Sequence, residues 1–435
     1  SMPSEILIKI LSYLDAASLL SVGCVNKHFY QLANDNGIWL KIYSSCFQQK
    51  RTVRKMKTGQ TETGSLGCAA LHDRNPGYWK KEYIIKQQAV VKARVMQLVK
   101  RVVPYTGLCK HKEAMKASGL SWIIVLKDKH GEEHMLEKGR PAFKDTSVTV
   151  LWYSTNWPCL EILSTLKLFG VMPLLPDQSK AHSKGPHRRS LIAEYSLTNL
   201  TENSVAVGAD KLVQLFSLGP GLLVGLWKEK KEIAFVMASL HYHQLLERST
   251  LGSATVQYAL PPNQPVRDDI DPDYGLHGYS LHLDLHGRSC TYLCATFRSL
   301  FCRKVDITDG YLRLRVVSLK DSTKHLPLTG TLGLYWETDV FKGTIKNCFM
   351  MVVTVLDGTG KPFWCFSAPV YMEPSSEASG LYDCSGPIYT TDYADSEGKV
   401  FMEFVYLEET KEYFIVSLVL YISTKKLNNW YGTNY

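Results

Sequence analysis

The first forty residues carry several short apolar patterns with the spacing of α-helices. The first pattern begins after Pro3, a residue suited to the first turn of a helix. Its apolar residues follow the positions of one helical face, and they are Ile6, Leu7, Ile10, Leu11 and Leu14. Further patterns begin at Asp15 or Ser18, before Phe29 and at Ile38, which predicts a module of three to four helices. A module this small cannot bury all of these side chains, so the excess predicts an apolar docking surface.

The chain changes character after this module. Residues 48–76 open with closely spaced lysines and arginines and continue through Gly, Thr and Ser without a period, which predicts a basic flexible linker. Pro76 and Gly77 then precede a helical pattern over Tyr78–Lys100, which would reach about 30–35 Å. We therefore expect a helical linker over residues 77–119.

From Leu120 onward, short apolar runs alternate with turn residues, as is typical of β-strands. The clearest runs are Trp122–Leu126, Ser147–Tyr153, Leu222–Trp227, Ile233–Leu240, Tyr279–Leu285, Thr291–Phe297, Tyr311–Leu319, Met350–Leu356, Pro362–Ala368, Val400–Leu407 and Tyr413–Ile422. About a dozen strands with hairpin signals predict a mainly antiparallel sandwich or barrel over residues 120–435. A further division near residues 190–220 stays open, and the fold class is α+β.

Composition narrows the choice of partners and compartment. The net charge of +9 is modest for 435 residues and is spread along the chain, which favours a protein partner over nucleic acid. The 11 cysteines have no repeating spacing, which predicts reduced thiols in a cytoplasmic protein, with the nucleus as an alternative. No apolar run reaches the roughly 18 residues of a membrane-spanning helix.

One strand combines several side chains that can bind a metal ion. A two-residue period puts His282, Asp284 and His286 on one face of this strand, with Cys290 and Cys294 just beyond it. The gap between the cysteines is not the spacing of a structural zinc site. We therefore expect a solvated strand face opposite a leucine core.

Two other clusters also contain side chains that can bind a metal ion. His241 and His243 are separated by one residue, as on one face of a strand, and we again expect no bound metal. Asp269, Asp271 and Asp273 are spaced as in a calcium loop, but Gly275 falls one position late and Ser280 occupies the place of the bidentate Glu. We expect neither a bound metal nor a cofactor. The absence of a nucleophile elbow, a kinase motif set or a paired-carboxylate motif favours a non-catalytic protein.

Short elements of the opening stretch also match a known docking module. They are Met2-Pro3, Glu5-Ile6-Leu7, Ile10-Leu11-Ser12-Tyr13-Leu14-Asp15, Leu19-Leu20, Val25-Asn26-Lys27, Phe29, Leu32-Ala33, Asp35 and Ile38-Trp39. With this spacing, residues 2–47 resemble the F-box, through which many proteins dock on the Skp adaptor of a cullin-based ubiquitin ligase. Met2 stands where the family usually has Leu, and Asn26-Lys27 replaces a frequent Cys-Arg pair.

Elements further along resemble the F-box-only subfamily over nearly the whole chain. They are Tyr78–Tyr83, Pro104–Gly107, Ser249–Ala254, Tyr274–Tyr279 and Gly360–Cys365. The resemblance implies a substrate-recognition adaptor of an SCF (Skp–cullin–F-box) ubiquitin ligase, which is not itself an enzyme. The Skp adaptor would be the direct partner, and the cullin and the RING subunit would join through the complex.

The resemblance also implies which residues contact the Skp adaptor. They are Pro3, Ile6, Leu7, Ile10, Leu11, Leu14, Leu19, Leu20, Val25, Phe29, Leu32 and Trp39. The substrate and its binding residues stay open. In an alternative interpretation, the chain binds the Skp adaptor, its β domain recognises a carbohydrate or small ligand, and no ubiquitin is transferred.

We expect target selection to belong to the region after Leu120 and not to the F-box-like module. Its two longest polar loops are expected at Met172–Arg189 and Pro261–Tyr274. The first loop carries four basic residues, which would favour acidic or phosphorylated targets, and they are Lys180, Lys184, Arg188 and Arg189. The alternative for either loop is a disordered insertion with no role in binding.

Overall fold

The structure is a computed structural model that describes residues 2–47, 74–99, 108, 111–173, 187–230, 232–375 and 386–435. The chain divides into two compact units. The first contains the N-terminal helices, and the second contains most of the strands. Most of the predicted basic linker and most of the first predicted loop lie outside the described residues.

Four helices follow one another at the start of the chain. They are α1 (Ser4–Leu11), α2 (Ala16–Val22), α3 (Lys27–Leu32) and α4 (Asn36–Phe47). Short polar side chains begin two of them, since Asp15 accepts the N–H of Ser18 at 2.8 Å and Asn26 accepts that of Phe29 at 2.9 Å. These bonds satisfy N–H groups that have no partner within the helix. The predicted helical module is confirmed, and Asp15 rather than Ser18 caps α2.

A longer helix, α5 (Tyr78–Val99), packs against this module. The ring of Tyr83 is buried, and its centroid lies 5.6 Å from that of Trp39 and 5.7 Å from that of Phe47. Just before the helix begins, the N–H of Gly77 donates to the carbonyl of Asn34 at 2.8 Å. Helix α5 therefore contributes directly to the core of the helical module.

The described residues contain four more helices and twenty-two strands, more strands than predicted. The helices are α6 (His111–Ser118), α7 (Leu200–Asn203), α8 (Leu245–Thr250) and α9 (Thr424–Tyr431). The first ten strands are β1 (Ser121–Asp128), β2 (Glu133–Leu136), β3 (Arg140–Phe143), β4 (Ser147–Trp152), β5 (Leu163–Pro173), β6 (His187–Ser196), β7 (Val205–Ala209), β8 (Val213–Gly219), β9 (Leu222–Trp227) and β10 (Ile233–His241). The others are β11 (Tyr279–His286), β12 (Thr291–Leu300), β13 (Tyr311–Val317), β14 (Leu326–Leu328), β15 (Gly333–Glu337), β16 (Lys342–Lys346), β17 (Cys348–Leu356), β18 (Pro362–Tyr371), β19 (Glu373–Pro374), β20 (Ile388–Ala394), β21 (Gly398–Leu407) and β22 (Glu412–Ser423).

These strands form several mainly antiparallel sheets. The strand orders are β2-β1-β5-β6, β3-β4-β10-β9-β8-β7, β12-β11-β17-β18, β13-β22-β21-β20-β19 with β14 beside β22, and β15-β16. This arrangement confirms the predicted large antiparallel β domain, and the described strands do not close into a barrel. No described helix combines the length and the apolar character needed to cross a membrane.

The sheet β12-β11-β17-β18, called the middle sheet, is covered on both faces. On one face, Leu281, Leu283 and Leu285 join a core shared with β13, β21 and β22. On the other face β18 meets β10, where the hydroxyls of Ser239 and Ser367 lie 2.6 Å apart. Because sheets cover both of its faces, every residue of β17 is buried.

Candidate docking surface

Helix α1 is apolar on two sides, and only one side is buried. Leu11 faces inward and is almost fully buried in the core of the helical module. Ile6 and Ile10 lie one turn apart on the outer side, and each is 50% exposed. Tyr13 extends the outer side just beyond the helix and is 77% exposed. The folded module therefore leaves a row of large apolar side chains in solvent.

Other exposed apolar residues occur on the same module. Val25 follows α2, Tyr30 lies on α3 and Met2 precedes α1. We call all of these side chains the outer apolar set, and its members are Met2, Ile6, Ile10, Tyr13, Val25 and Tyr30. Several exposed apolar side chains on one small module are typical of a surface that binds another protein.

The twelve predicted adaptor-binding residues fall into three groups. The exposed group is Pro3, Ile6, Ile10 and Val25. The half-buried group is Leu7, Leu14 and Phe29. The buried group is Leu11, Leu19, Leu20, Leu32 and Trp39. The buried residues hold the module together, as when the indole N–H of Trp39 donates to the carbonyl of Ala33 at 2.7 Å.

The predicted adaptor-binding residues omit three members of the outer apolar set, Met2, Tyr13 and Tyr30. The two tyrosines are aromatic, and an apolar pattern alone assigns such residues to the core. The position of Tyr13, three residues after Ile10 and seven after Ile6, is the signal that could have marked the outer row.

The expectation of a solvated polar face on β11 is wrong. His282, Asp284 and His286 are all buried, because the face of the middle sheet on which they lie is covered. Asp284 Oδ1 has no hydrogen-bond partner among the described residues, and burial raises the pKa of Asp284 to about 6. His286 Nδ1 accepts the N–H of Arg288 at 3.2 Å, and burial lowers the pKa of His286 to about 3.

The side chains considered above as possible metal ligands form contacts with other protein groups. His282 Nδ1 lies 2.8 Å from the hydroxyl of Thr296, and its Nε2 lies 3.7 Å from the Cys294 Sγ. Burial raises the pKa of the Cys294 thiol to about 11, which disfavours the thiolate that a metal would require. In the loop 261–274, Asp271 accepts the N–H of Asp273 at 2.9 Å and lies 2.7 Å from His277 Nε2.

A different group meets the geometric requirement for a metal ion. Asp128, Glu132 and His134 lie on the β1–β2 hairpin, and their ligand atoms are within 4.8 Å of one another. No other group of three described residues meets this limit. Asp128 Oδ1 already accepts the N–H groups of His130 and Glu132, at 2.9 and 2.8 Å. Alternating acidic and histidine residues around this hairpin were a signal that sequence reasoning did not use.

A small cavity lies at the end of β10. Its volume is about 40 Å³, and its walls include His111, His241, His243 and Thr354. His241 Nδ1 accepts the backbone N–H of His243 at 2.9 Å, so the proton lies on Nε2, which donates to the hydroxyl of Thr354 at 2.8 Å. Burial lowers the pKa of His241 well below its ordinary value and that of His243 to about 4. The cavity has room for a few water molecules but not for an organic substrate.

Comparisons with known proteins agree with the helical module and extend over the whole chain. A family model described as F-box-like matches residues 1–45. F-box only protein 15 of Macaca fascicularis is 53% identical over 437 residues, which cover 100% of both chains. F-box only protein 15 of Homo sapiens is 52% identical over 436 residues, covering 100% of this chain and 85% of that protein. F-box only protein 15 of Mus musculus is 43% identical, covering 99% of this chain and 100% of that protein.

Proposed function

The chain belongs to the F-box only protein 15 family, and we propose from this that it is the substrate-recognition adaptor of an SCF ubiquitin ligase. The F-box module binds the Skp adaptor, which connects the chain to the cullin and the RING subunit. The β domain holds a target protein, whose lysines then lie at high effective concentration near a ubiquitin-conjugating enzyme. In this role the chain itself makes and breaks no covalent bond.

The outer apolar set is the observation that supports this proposal most strongly. In the proposed interface, the exposed members contact the Skp adaptor, with Ile6 and Ile10 at the centre because they lie one turn apart on α1. Buried residues such as Leu19 and Trp39 act indirectly, since they fix the positions of the helices.

Replacing Ile6 and Ile10 together by Ala tests this interface. Full burial of an Ile side chain contributes about 1.5–3 kcal/mol, so burying the exposed half contributes about 1 kcal/mol per residue. The double variant should therefore bind the purified Skp adaptor about 10- to 100-fold more weakly, as measured by biolayer interferometry on the full chain. Ile270→Ala is the matched control, because Ile270 is 93% exposed on the β unit. A folded double variant with unchanged affinity would refute the proposed interface.

Ubiquitin transfer needs a separate measurement. The chain is expressed in cells as a tagged protein, and the ubiquitin linkages on co-purifying proteins are profiled for the intact chain and the Ile6/Ile10 double variant. The proposal expects ubiquitinated proteins that depend on the intact docking surface. Adaptor binding without any such proteins would favour the alternative of a ligand-recognising β domain.

We propose the cytoplasm as the site of action, with the nucleus as the alternative, and cell fractionation decides between them.

A further inference from the structure

The β unit carries a large groove where several strands end. Its volume is about 1130 Å³, above the roughly 300–1,000 Å³ of pockets that bind small molecules. The walls come from β7, from residues 217–220, from residues 368–371 of β18 and from residues 392–395 at the end of β20. These dimensions suit a stretch of polypeptide better than a small metabolite.

Two of the strands that line the groove have open edges. Among the described strands, β7 is the last of its sheet and pairs only with β8. In β20, pairing with β19 covers only Tyr389 and Thr390. The hydroxyl of Thr391 donates to the carbonyl of Tyr371 at 2.8 Å. Residues 392–394 have β21 on one side and no described strand paired on the other. Open edges present unpaired N–H and C=O groups, to which an extended peptide can add as a further strand.

The third wall, from β18, contributes side chains rather than backbone hydrogen bonds. Strand β18 is also the last strand of its sheet, but Pro369 has no N–H to donate. Ala368 and Val370 are buried in the core of the β unit, whereas Pro369 and Tyr371 are partly exposed and line the groove. These two side chains can therefore pack against apolar side chains of a bound segment.

The groove is acidic, although the chain as a whole has a net charge of +9. Glu373, Asp392 and Asp395 line it, together with no Lys, Arg or His among the described residues. The Asp395 carboxylate is already engaged, since its Oδ2 accepts the Trp364 indole N–H and the Tyr393 hydroxyl, each at 3.1 Å. Glu373 and Asp392 are exposed, and neither forms an ion pair within the described part of the chain. Two uncompensated negative charges beside open strand edges favour a positively charged segment.

We propose that this groove binds an extended segment of a partner protein that is rich in lysine or arginine. The segment adds as a strand to the open edge of β7, and its basic side chains face Glu373 and Asp392. Side chains alternate between the two faces of a strand, so a segment with basic residues at every second position fits best. Only the identification of this partner as the ubiquitination target rests on the proposed function.

The test uses a fluorescein-labelled ten-residue peptide with lysine at every second position and valine or threonine between the lysines. Fluorescence polarisation measures its binding to the full chain at low ionic strength. We expect saturable binding that is lost when every lysine is replaced by glutamate. Replacing the valines and threonines by proline keeps the charge but removes N–H donors, and should weaken binding at least tenfold.

Substitutions in the protein locate the binding site. The Glu373→Lys/Asp392→Lys double variant should weaken binding of the lysine peptide at least tenfold, and Ala206→Trp should weaken it by filling part of the groove that Ala206 lines. Glu409→Lys is the charge control, because Glu409 is exposed in the β21–β22 turn and does not line the groove. Circular dichroism confirms that each variant is folded.

Three results would overturn the proposal. They are no binding of the lysine peptide up to millimolar concentration, equal affinity in the double variant and the intact chain, and equal affinity for the proline peptide. Affinity for the Skp adaptor is measured on the same preparations and should not change. A failure of the groove is thereby distinguished from a failure of the proposed adaptor function.

Discussion

Removing the ring of Tyr83 should destabilise the whole helical module, although Tyr83 lies well beyond the residues that match the F-box-like model. The side chain is 5% exposed and packs against Trp39 and Phe47. Its hydroxyl accepts from the Gln87 Nε2 at 3.2 Å. Burial raises the pKa of Tyr83 to about 12, as expected for a phenol with restricted access to water. If α5 is part of the module's core, this contact contributes to the stability of all five helices.

The expected loss is large relative to the stability of the module. Truncating a buried aromatic side chain to Ala costs about 3–5 kcal/mol. At about 0.05–0.15 kcal/mol per residue, a unit of roughly 70 residues has a total stability of about 4–10 kcal/mol. Tyr83→Ala should therefore bring the module close to unfolding, while Tyr83→Phe should cost only about 1 kcal/mol. Ile85→Ala is the matched control on the same helix, because Ile85 is 49% exposed.

Hydrogen exchange of the full chain measures this effect locally. A loss of at least 3 kcal/mol should accelerate exchange of the protected amides in α2 and α4 by about two orders of magnitude or more, since each 1.36 kcal/mol is a factor of ten. Affinity for the Skp adaptor should decrease with it, and the Ile85→Ala variant should resemble the intact chain. Unchanged exchange in α2 and α4 of the Tyr83→Ala variant would refute the role of α5 in the core.

Two further predictions concern charges in the β unit. The pKa of Asp284, raised by burial to about 6, lies above the ordinary value of 3.8, so the stability contributed by this carboxyl should be lost as the pH rises from about 4 to about 6. Asp284→Asn should remove this pH dependence. His286, whose pKa is lowered to about 3, acts in the opposite direction, but it does so in both proteins and cancels in their difference. Urea unfolding between pH 4 and pH 7 measures the two stabilities, and parallel pH profiles of the variant and the intact chain would contradict the prediction. Glu337→Ala removes an ion pair of 3.2 Å to the buried side chain of Arg288 and should cost about 3 kcal/mol of the free energy of unfolding. Asp339→Ala removes the exposed ion pair with Arg140 and should cost less than about 1 kcal/mol. Equal losses of stability in the Glu337→Ala and Asp339→Ala variants would show that burial of Arg288 is unimportant.

The helices of the module were predictable because their signals are local. Asp15 and Asn26 begin α2 and α3 through bonds to residues three positions ahead, which a sequence pattern contains. The inward or outward direction of each residue was not predictable in the same way. Ile10 and Leu11 are adjacent and equally apolar, and only the packing of the other helices on α1 exposes one and buries the other.

The β unit was predicted less completely because sheets depend on distant pairing. Strand β11 was placed correctly, but its polar face is buried because β10, from elsewhere in the chain, packs on that face of the middle sheet. His241 of β10 bonds there to Thr354, which pairs with His282. Strand β16 was missed, since Lys342–Lys346 has few apolar residues and is stabilised by its pairing with β15. The groove could not be predicted, because its walls come from residues 203–220, 368–373 and 392–395.

The acidic groove adds a second expectation about targets, while the expectation from the basic loop stays a prediction. The basic residues of the loop 172–189 predicted acidic or phosphorylated partners, whereas Glu373 and Asp392 favour basic ones. A basic segment suits a ubiquitin ligase for a physical reason, because lysine is also the residue that accepts ubiquitin. In the proposed complex, a lysine bound in the groove would not be accessible, but lysines just beyond its ends would be held at high effective concentration by the same binding event. A target that binds through a lysine-rich strand therefore presents acceptor residues close to the point at which it is held.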